Sequence, residues 1–358
     1  MAEIRDELFY KQKNGYDTMS TQQRIDMEDY CRGYMAFLNE ARTEREAVKI
    51  AIEMAEDKGF VEYVDGMKLS PGDKVYCNNR SKALMLAVIG RKSLEEGCVI
   101  AGAHVDSPRI DLKQNPLYES DELAYFKTHY YGGIKKYQWV TIPLELHGVV
   151  ALKNGETIDV SIGHDPSDPQ FVITDLLPHL GKEQMRKTME EGITGEGLNI
   201  LIGSAVLRDD TGTEKVKVAI AKLLFEKYGI VEEDFLSAEL EIVPAGRARE
   251  MGFDRSMVGG YGHDDRVDAY PALMAEIETK NPAYTTVCVL TDKEEIGSDG
   301  VTGMQSMYVF HFMQELCRTA GQDDIIAFRN SVCLSADVTA AYDPSWASAF
   351  EPMNGTYA

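Results

Sequence analysis

The residues that could do chemistry in this chain are a histidine and a small set of carboxylates, each at the end of an apolar run or a tight loop. His104-Val105-Asp106 follows the apolar residues 98–101, and Ser107-Pro108 then stops the run. A strand ending this way carries an imidazole to the carboxyl edge of a sheet, where open α/β sheets hold their sites. Asp264 follows the tight loop Gly259-Gly260-Tyr261-Gly262-His263. Glu294-Glu295 follows the apolar run 285–290, and Asp337 follows the run 331–334 through Ser335-Ala336. One imidazole among hard carboxylates suits zinc, cobalt or manganese. Asp264, at the start of a helix, is placed to bridge two ions, and its charge is favoured there. Adjacent glutamates on extended backbone point in different directions. One of the pair can bind metal while the other takes a proton from water. Asp106 is badly spaced for a co-ligand and better placed to orient the His104 ring. His263 is the rival imidazole, and Asp265 with Arg266 reads as a capping pair.

Composition narrows the class. The chain has 358 residues, 44% of them hydrophobic and 27% charged, as expected of a globular protein large enough for two domains. A formal net charge of −22 argues against a nucleic-acid-binding surface, which needs basic patches. None of the six cysteines forms a CxxC pair, and several sit in apolar runs as reduced thiols do. The N-terminal stretch MAEIRDELFYKQKNGYD is charged throughout and has no signal-peptide core. No apolar run approaches the ~20 residues of a membrane span. These features predict a cytoplasmic protein.

The elements that must position the candidates follow from periodicity. Residues 21–59 predict two helices, the second opened by a capping box of Thr43 and Glu46. Residues 83–89 and 98–104 predict strands. From 109 to 254 the pattern is mostly β. Val140, Ile142, Leu144 and Leu146 alternate with Thr141, Pro143, Glu145 and His147, predicting a half-buried strand. Residues 149–152 and 157–162 flank the hairpin signal Asn154-Gly155. A helix is predicted over 215–228, a strand over 236–244, and a glycine-rich loop over 192–203. From about 257 the α/β texture returns, with a helix to about Glu278 and another over 304–320.

Four motifs together resemble the M18 family of metalloaminopeptidases, the aspartyl aminopeptidase family: AHVDSP at 103–108, GHDDR at 262–266, EEIGS at 294–298 and SAD at 335–337. The order and the long insertion between the first two motifs match as well, and the likeness spans essentially the whole chain. The resemblance implies an α/β fold: a metallopeptidase domain with a central mixed sheet flanked by helices (1–107 and 256–358), plus an inserted β-rich dimerisation domain (108–255). It implies that His104, Asp264, Glu295 and Asp337 bind metal, with Asp264 bridging, and that Glu294 is the general base and Asp106 orients His104. It implies two divalent ions, zinc or else cobalt or manganese. The substrates would be peptides with a free N-terminus, and several members of the family prefer an acidic first residue. Dimers would assemble into a tetrahedral dodecamer. His147 matches a position that in some members reaches a neighbouring subunit's active site, and otherwise reads as an exposed strand histidine.

One departure stands out. The family pattern continues past Ser335-Ala336-Asp337 to a last metal-binding histidine, and none of this chain's seven histidines follows Asp337. The expectation is therefore a fragment, with apolar surface left open, or a divergent second metal position one ligand short. Two rival functions remain at this level: a related dinuclear metal amidohydrolase or deacylase, and a catalytically impaired assembly module.

Overall fold

The computed structural model describes residues 4, 7–11, 13–208 and 211–357. The charged N-terminal stretch noted above falls partly outside them. Helices α1 (Thr21–Glu40) and α2 (Glu44–Glu56) each open with a reciprocal capping box, Ser20 with Gln23 and Thr43 with Glu46.

The chain then enters a six-stranded sheet of order β1-β2-β3-β13-β4-β14. Its members are β1 (Val61–Glu62), β2 (Lys74–Asn79), β3 (Ala83–Val88), β4 (Val99–His104), β13 (Thr286–Thr291) and β14 (Val332–Ser335). Strands β13, β4 and β14 run parallel, while β3 is antiparallel to β13. The central strands β3 and β13 are buried on both faces, so they are apolar nearly throughout rather than alternating. Leu84, Leu86, Val88, Cys288 and Leu290 pack with α1, α2 and a helix that begins at His263. Met85, Ala87, Val287 and Val289 pack on the other side against Phe312, Met313, Leu316 and Ala327. Those residues belong to the last two helices, over 308–320 and 324–330. The result is a three-layer α/β/α unit.

Between β4 and β13 lies a second six-stranded sheet, antiparallel throughout, of order β8-β7-β10-β5-β6-β9. It comprises β5 (Arg109–Ser120), β6 (Leu123–Tyr131), β7 (Leu144–Ala151), β8 (Thr157–Ile162), β9 (Ile200–Gly203) and β10 (Ala238–Pro244). One face makes an apolar core with Ile110, Phe126, Leu146, Ile200 and Ile242, covered by the helix α3 (Lys215–Tyr228). A short hairpin, β11 (Arg249–Met251) and β12 (Met257–Gly259), leads back to the first unit.

Three expectations are corrected. The alternating strand starts at Leu144, not Val140, because Thr141 adopts a left-handed φ of 62° that breaks extension. The glycine-rich segment ends in a strand, β9, which pairs with the edge of β6. Asn154-Gly155 does turn the β7–β8 hairpin, but β7 runs unbroken from Leu144 to Ala151, so the two strand signals are one element.

Alternation along β7 explains how the two units join. Leu144 and Leu146 face the apolar core, whereas Glu145 and His147 face α2 and are just as buried. This interface is built of charge. Glu44 meets Lys82 at 2.8 Å and Arg109 at 3.4 Å, Arg109 meets Asp111 at 2.8 Å and Glu241 at 3.2 Å, and Arg42 meets Glu145 at 2.5 Å.

Within the first unit, Glu276 lies buried and accepts a hydrogen bond from Thr286 Oγ1 at 3.1 Å. Burial pushes its carboxyl up to about 8 from 4.5, outweighing the hydrogen bonds and Lys74, which pull it down. A carboxyl with a raised folded pKa gives stability that is present in full below about 4.5 and lost as pH rises through about 8. The expected result is that Glu276→Gln melts close to the parent at pH 4.5. Above pH 8 it should be more stable by about 1–2 kcal/mol. Thermal melts at both pH values check this, and an equal gap at the two pH values would count against it.

Candidate metal centre

The parallel strands bring their ends to one edge. Thr291 of β13 lies opposite His104 of β4, and Ser335 of β14 lies opposite Gly102. The residues that follow each strand therefore gather at the same carboxyl edge. That places Glu294-Glu295 and Asp337 around His104. The helix α4 (His263–Glu278) packs beneath β4, and its leading residues supply Asp264 from a fourth direction.

His104 is 3% exposed. Its Nδ1 lies 3.0 Å from the backbone oxygen of Asp106 and 3.2 Å from Asp106 Oδ1. Its Nε2 faces Asp264 Oδ1 at 3.3 Å and Glu294 Oε2 at 3.7 Å. Ligand atoms of His104, Asp264 and Asp337 all lie within 4.8 Å of one another. Burial opposes the imidazolium, but Asp106, Asp265 and Glu294 overcome it and push His104 up to about 9. Burial, then the facing Asp337, raises the Asp264 carboxyl against the pull of His104. Glu295 is pushed up to about 7 by burial and by Asp264.

These carboxylates crowd one another around the His104 ring. Among the described residues, His104 Nε2 and Glu295 Oε1 are buried and lack a hydrogen-bond partner. A buried polar atom left unpaired is costly, and a bound cation would satisfy both atoms. The donor set of one imidazole nitrogen and several carboxylate oxygens fits a divalent ion of the zinc type.

Asp106 is the hub behind the cluster and is fully buried. Besides His104, it accepts the backbone N–H of Glu294 at 3.2 Å, the N–H of Glu295 at 3.2 Å and the Tyr131 hydroxyl at 2.7 Å. One carboxylate thus fixes both the histidine and the glutamate pair. Burial alone would raise its pKa, but these donors hold it below the usual carboxylate value.

The glutamates differ from expectation in one respect. They sit on a 3-10 turn, Glu294–Ile296, rather than on extended backbone. Left-handed φ angles at Lys293 (74°), Gly297 (94°) and Ser298 (60°) produce the sharp turn. Asp264 likewise precedes the regular helix, because its φ of −84° and ψ of 105° are not helical. It therefore gains less from the helix N-terminus than its sequence position suggested.

Several residues take roles that differ from their sequence reading or had none. Asp265 Oδ2 accepts the backbone N–H of His104 at 3.4 Å, and Arg266 Nε donates to Val105 O at 3.2 Å, so this pair grips the end of β4 rather than capping a helix. Ser107 Oγ donates to Asp264 O at 2.7 Å. Tyr131 comes from the end of β6 in the second sheet, and Arg109 lies 3.8 Å from its ring centre. His263 Nδ1 meets the Tyr34 hydroxyl at 2.8 Å, away from the cluster. His147 is also elsewhere. It is 1% exposed, with Nδ1 2.8 Å from Glu46 and Nε2 3.3 Å from Glu145. The reading of an exposed strand histidine is overturned, because the polar face of β7 is covered by α2.

Two clefts open beside the cluster. One, of about 470 Å³, is lined by Val289, Phe310, Met313 and Phe328 and reaches His104, Glu294 and Asp337. The other, of about 510 Å³, runs between the two units past Ser107, Lys135, Trp139 and Asp264.

Comparison with known proteins places the fold in a lineage. The family described as aminopeptidase I zinc metalloprotease (M18) matches residues 37–357. The chain belongs to the M18 family. A probable M18 family aminopeptidase 1 from Clostridium acetobutylicum is 48% identical over 359 residues, covering 98% of this chain and 77% of the relative. The crystal structure of an M18 aminopeptidase from Thermotoga maritima superposes with a TM-score of 0.91 at 39% identity, covering 98% of this chain and 77% of that one. The S. cerevisiae mApe1 dodecamer shares the M18 fold, with a TM-score of 0.74 at 18% identity over 93% of this chain and 76% of that one. The α/β unit with its β-rich companion is thus the M18 architecture. No helix among the described residues is long and apolar enough to cross a membrane.

Removing the Tyr131 hydroxyl is expected to loosen this candidate centre without unfolding it. Tyr131→Phe should weaken zinc binding about tenfold, as loss of a partner behind the ligands typically does. Chelator competition measures it, and unchanged affinity would exclude Tyr131 from the support of the site.

Proposed function

We propose that the chain is a zinc-dependent aminopeptidase that removes N-terminal residues from peptides at the His104 edge of the first sheet. The observation that carries this reading is the convergence of Asp264, Glu294 and Asp337 on the buried Nε2 of His104, which has no hydrogen-bond partner among the described residues. His104, Asp264, Glu295 and Asp337 are the residues that would hold the metal, as two ions. Metal bound there supplies Lewis acidity that polarises the scissile carbonyl and acidifies water.

The remaining steps belong to the chain. Glu294, with its side chain 46% exposed beside His104, accepts the water proton and returns it to the leaving amine. Asp106 fixes the Glu294 backbone and the His104 ring together, so base and ligand keep their spacing. The α-amino group of the substrate is met by the surplus of carboxylate charge at the same edge. An acidic first residue suits the cleft between the units, where Lys135 is the cation in the lining. Lys135→Met is accordingly expected to lower the kcat/KM ratio of aspartyl over leucyl substrates by about tenfold, as loss of one charge-assisted contact would.

The oligomer is proposed on separate ground. Leu176, Leu177, Leu180, Met185 and Met189 are all more than half exposed on one segment of the second unit. A patch of that kind marks an interaction surface. Light scattering of the parent against Leu177→Asp/Leu180→Asp reads it, and a monomeric parent would remove the proposal.

The functional reading is tested by zinc-loaded protein acting on matched peptides with free and N-acetylated termini. Release of the first residue from the free peptide alone is expected. Cleavage of the acylated peptide alone would favour a deacylase, and no cleavage of either would favour an assembly module.

A further inference from the structure

The second cluster of metal-type side chains lies about the buried face of β7. An oxygen of Glu145 and a ring nitrogen each of His147 and His164 lie within 4.8 Å of one another. His147 is 1% exposed, and its Nε2 has no hydrogen-bond partner among the described residues. That atom points at Glu145 Oε1, 3.3 Å away. Its other nitrogen, Nδ1, meets Glu46 Oε1 at 2.8 Å. A carboxylate on one imidazole nitrogen, with the other nitrogen left for an ion, is the usual arrangement behind a metal-bound histidine. The spacing agrees: ligand atoms at ~2.0–2.1 Å from a tetrahedral zinc stand about 3.4 Å apart. The His164 ring stands 5.8 Å from the His147 ring, edge to face, on the turn that leaves β8. It is half-buried, so an ion can enter past it.

We infer that Glu145, His147 and His164 form a second divalent-metal site, separate from the His104 edge and of zinc type, with one position left for water. The sequence offers no clue to it, because the ligands come from β7 and the turn beyond β8 and the supporting carboxylate comes from α2. Glu46 itself is fixed by the capping box, since its other oxygen accepts the backbone N–H of Thr43 at 3.0 Å. An ion there would tie the outer hairpin of the second sheet to α2. Its role would be to join the two units, and stability would rise with free zinc through mass action. Arg42 shares Glu145, so the carboxylate would ligate with one oxygen while keeping its ion pair.

The test uses the full chain, stripped with chelator and dialysed against buffered zinc, and compares the parent with His164→Gln. This substitution keeps a polar side chain at a half-buried position outside the machinery of the His104 edge. The parent should hold one more zinc per chain than the variant. It should show a zinc-edge anomalous peak between the three side chains, and a zinc-dependent rise in Tm that the variant lacks. Peptide hydrolysis should be the same in both. Equal zinc content in the two proteins, or zinc-loaded crystals with no peak at His147, would overturn the inference. His147→Gln serves as a second variant: it should lose the same zinc equivalent, and retention of that zinc would also overturn it.

Discussion

Glu294→Gln is expected to keep its zinc and lose turnover. The side chain keeps its length and polarity, and Asp106 still accepts the backbone N–H of residue 294, so the turn should hold. Only the capacity to take a proton disappears. A general base contributes about 10²- to 10⁴-fold, so kcat should fall by that factor with KM little changed. His104→Ala makes the contrast. It removes a ligand atom and should lower zinc content as well as rate. If Glu294→Gln loses zinc in parallel with activity, Glu294 is a ligand and not the base. If it retains full activity, the glutamate has neither role.

The second large effect is on stability. Arg109→Ala is expected to cost about 3–5 kcal/mol, the range for stripping one partner from a buried ion cluster. Arg109 is 4% exposed and is the shared cation of Glu44, Asp111 and Glu241. Burial would raise the Glu44 carboxyl, but Arg109 and Lys82 hold it well below the usual range. Glu241 stands well above it, because burial and the neighbouring Glu44 and Asp111 outweigh the arginine. Without Arg109 these carboxyls would share only Lys82. Denaturant melts measure the loss. A change under 1 kcal/mol would mean that the interface rests on its apolar contacts instead. Arg109 also lies against the Tyr131 ring, so the variant is expected to lower zinc affinity through Asp106.

The sequence made the first sheet and its ligand edge legible because His104, Glu294-Glu295 and Asp337 each follow an apolar strand, while Asp264 follows a tight glycine-rich loop. The strands β4, β13 and β14 advertise themselves as short apolar runs and run in one direction, so their ends fall at one edge. His104, Asp264, Glu294, Glu295 and Asp337 were therefore readable as ends of elements. What could not be read was long-range. Tyr131 reaches Asp106 from another sheet, and Asp265 and Arg266 grip a strand more than 150 positions earlier in the chain. Nothing in their neighbours marks those contacts. His147 was misjudged for a related reason: alternation separates two faces of a strand but does not say which face is covered. On β7 both are, one by apolar side chains and one by the charged start of α2.

The most direct test of the centre itself is a zinc-edge anomalous map from crystals of chelator-stripped protein reloaded with zinc. The expected map has density within about 2.0–2.2 Å of His104 Nε2 and of carboxylate oxygens from Asp264 and Asp337. A map with no density at His104, obtained at zinc concentrations that restore peptide hydrolysis, would contradict the assignment of this edge as the metal centre.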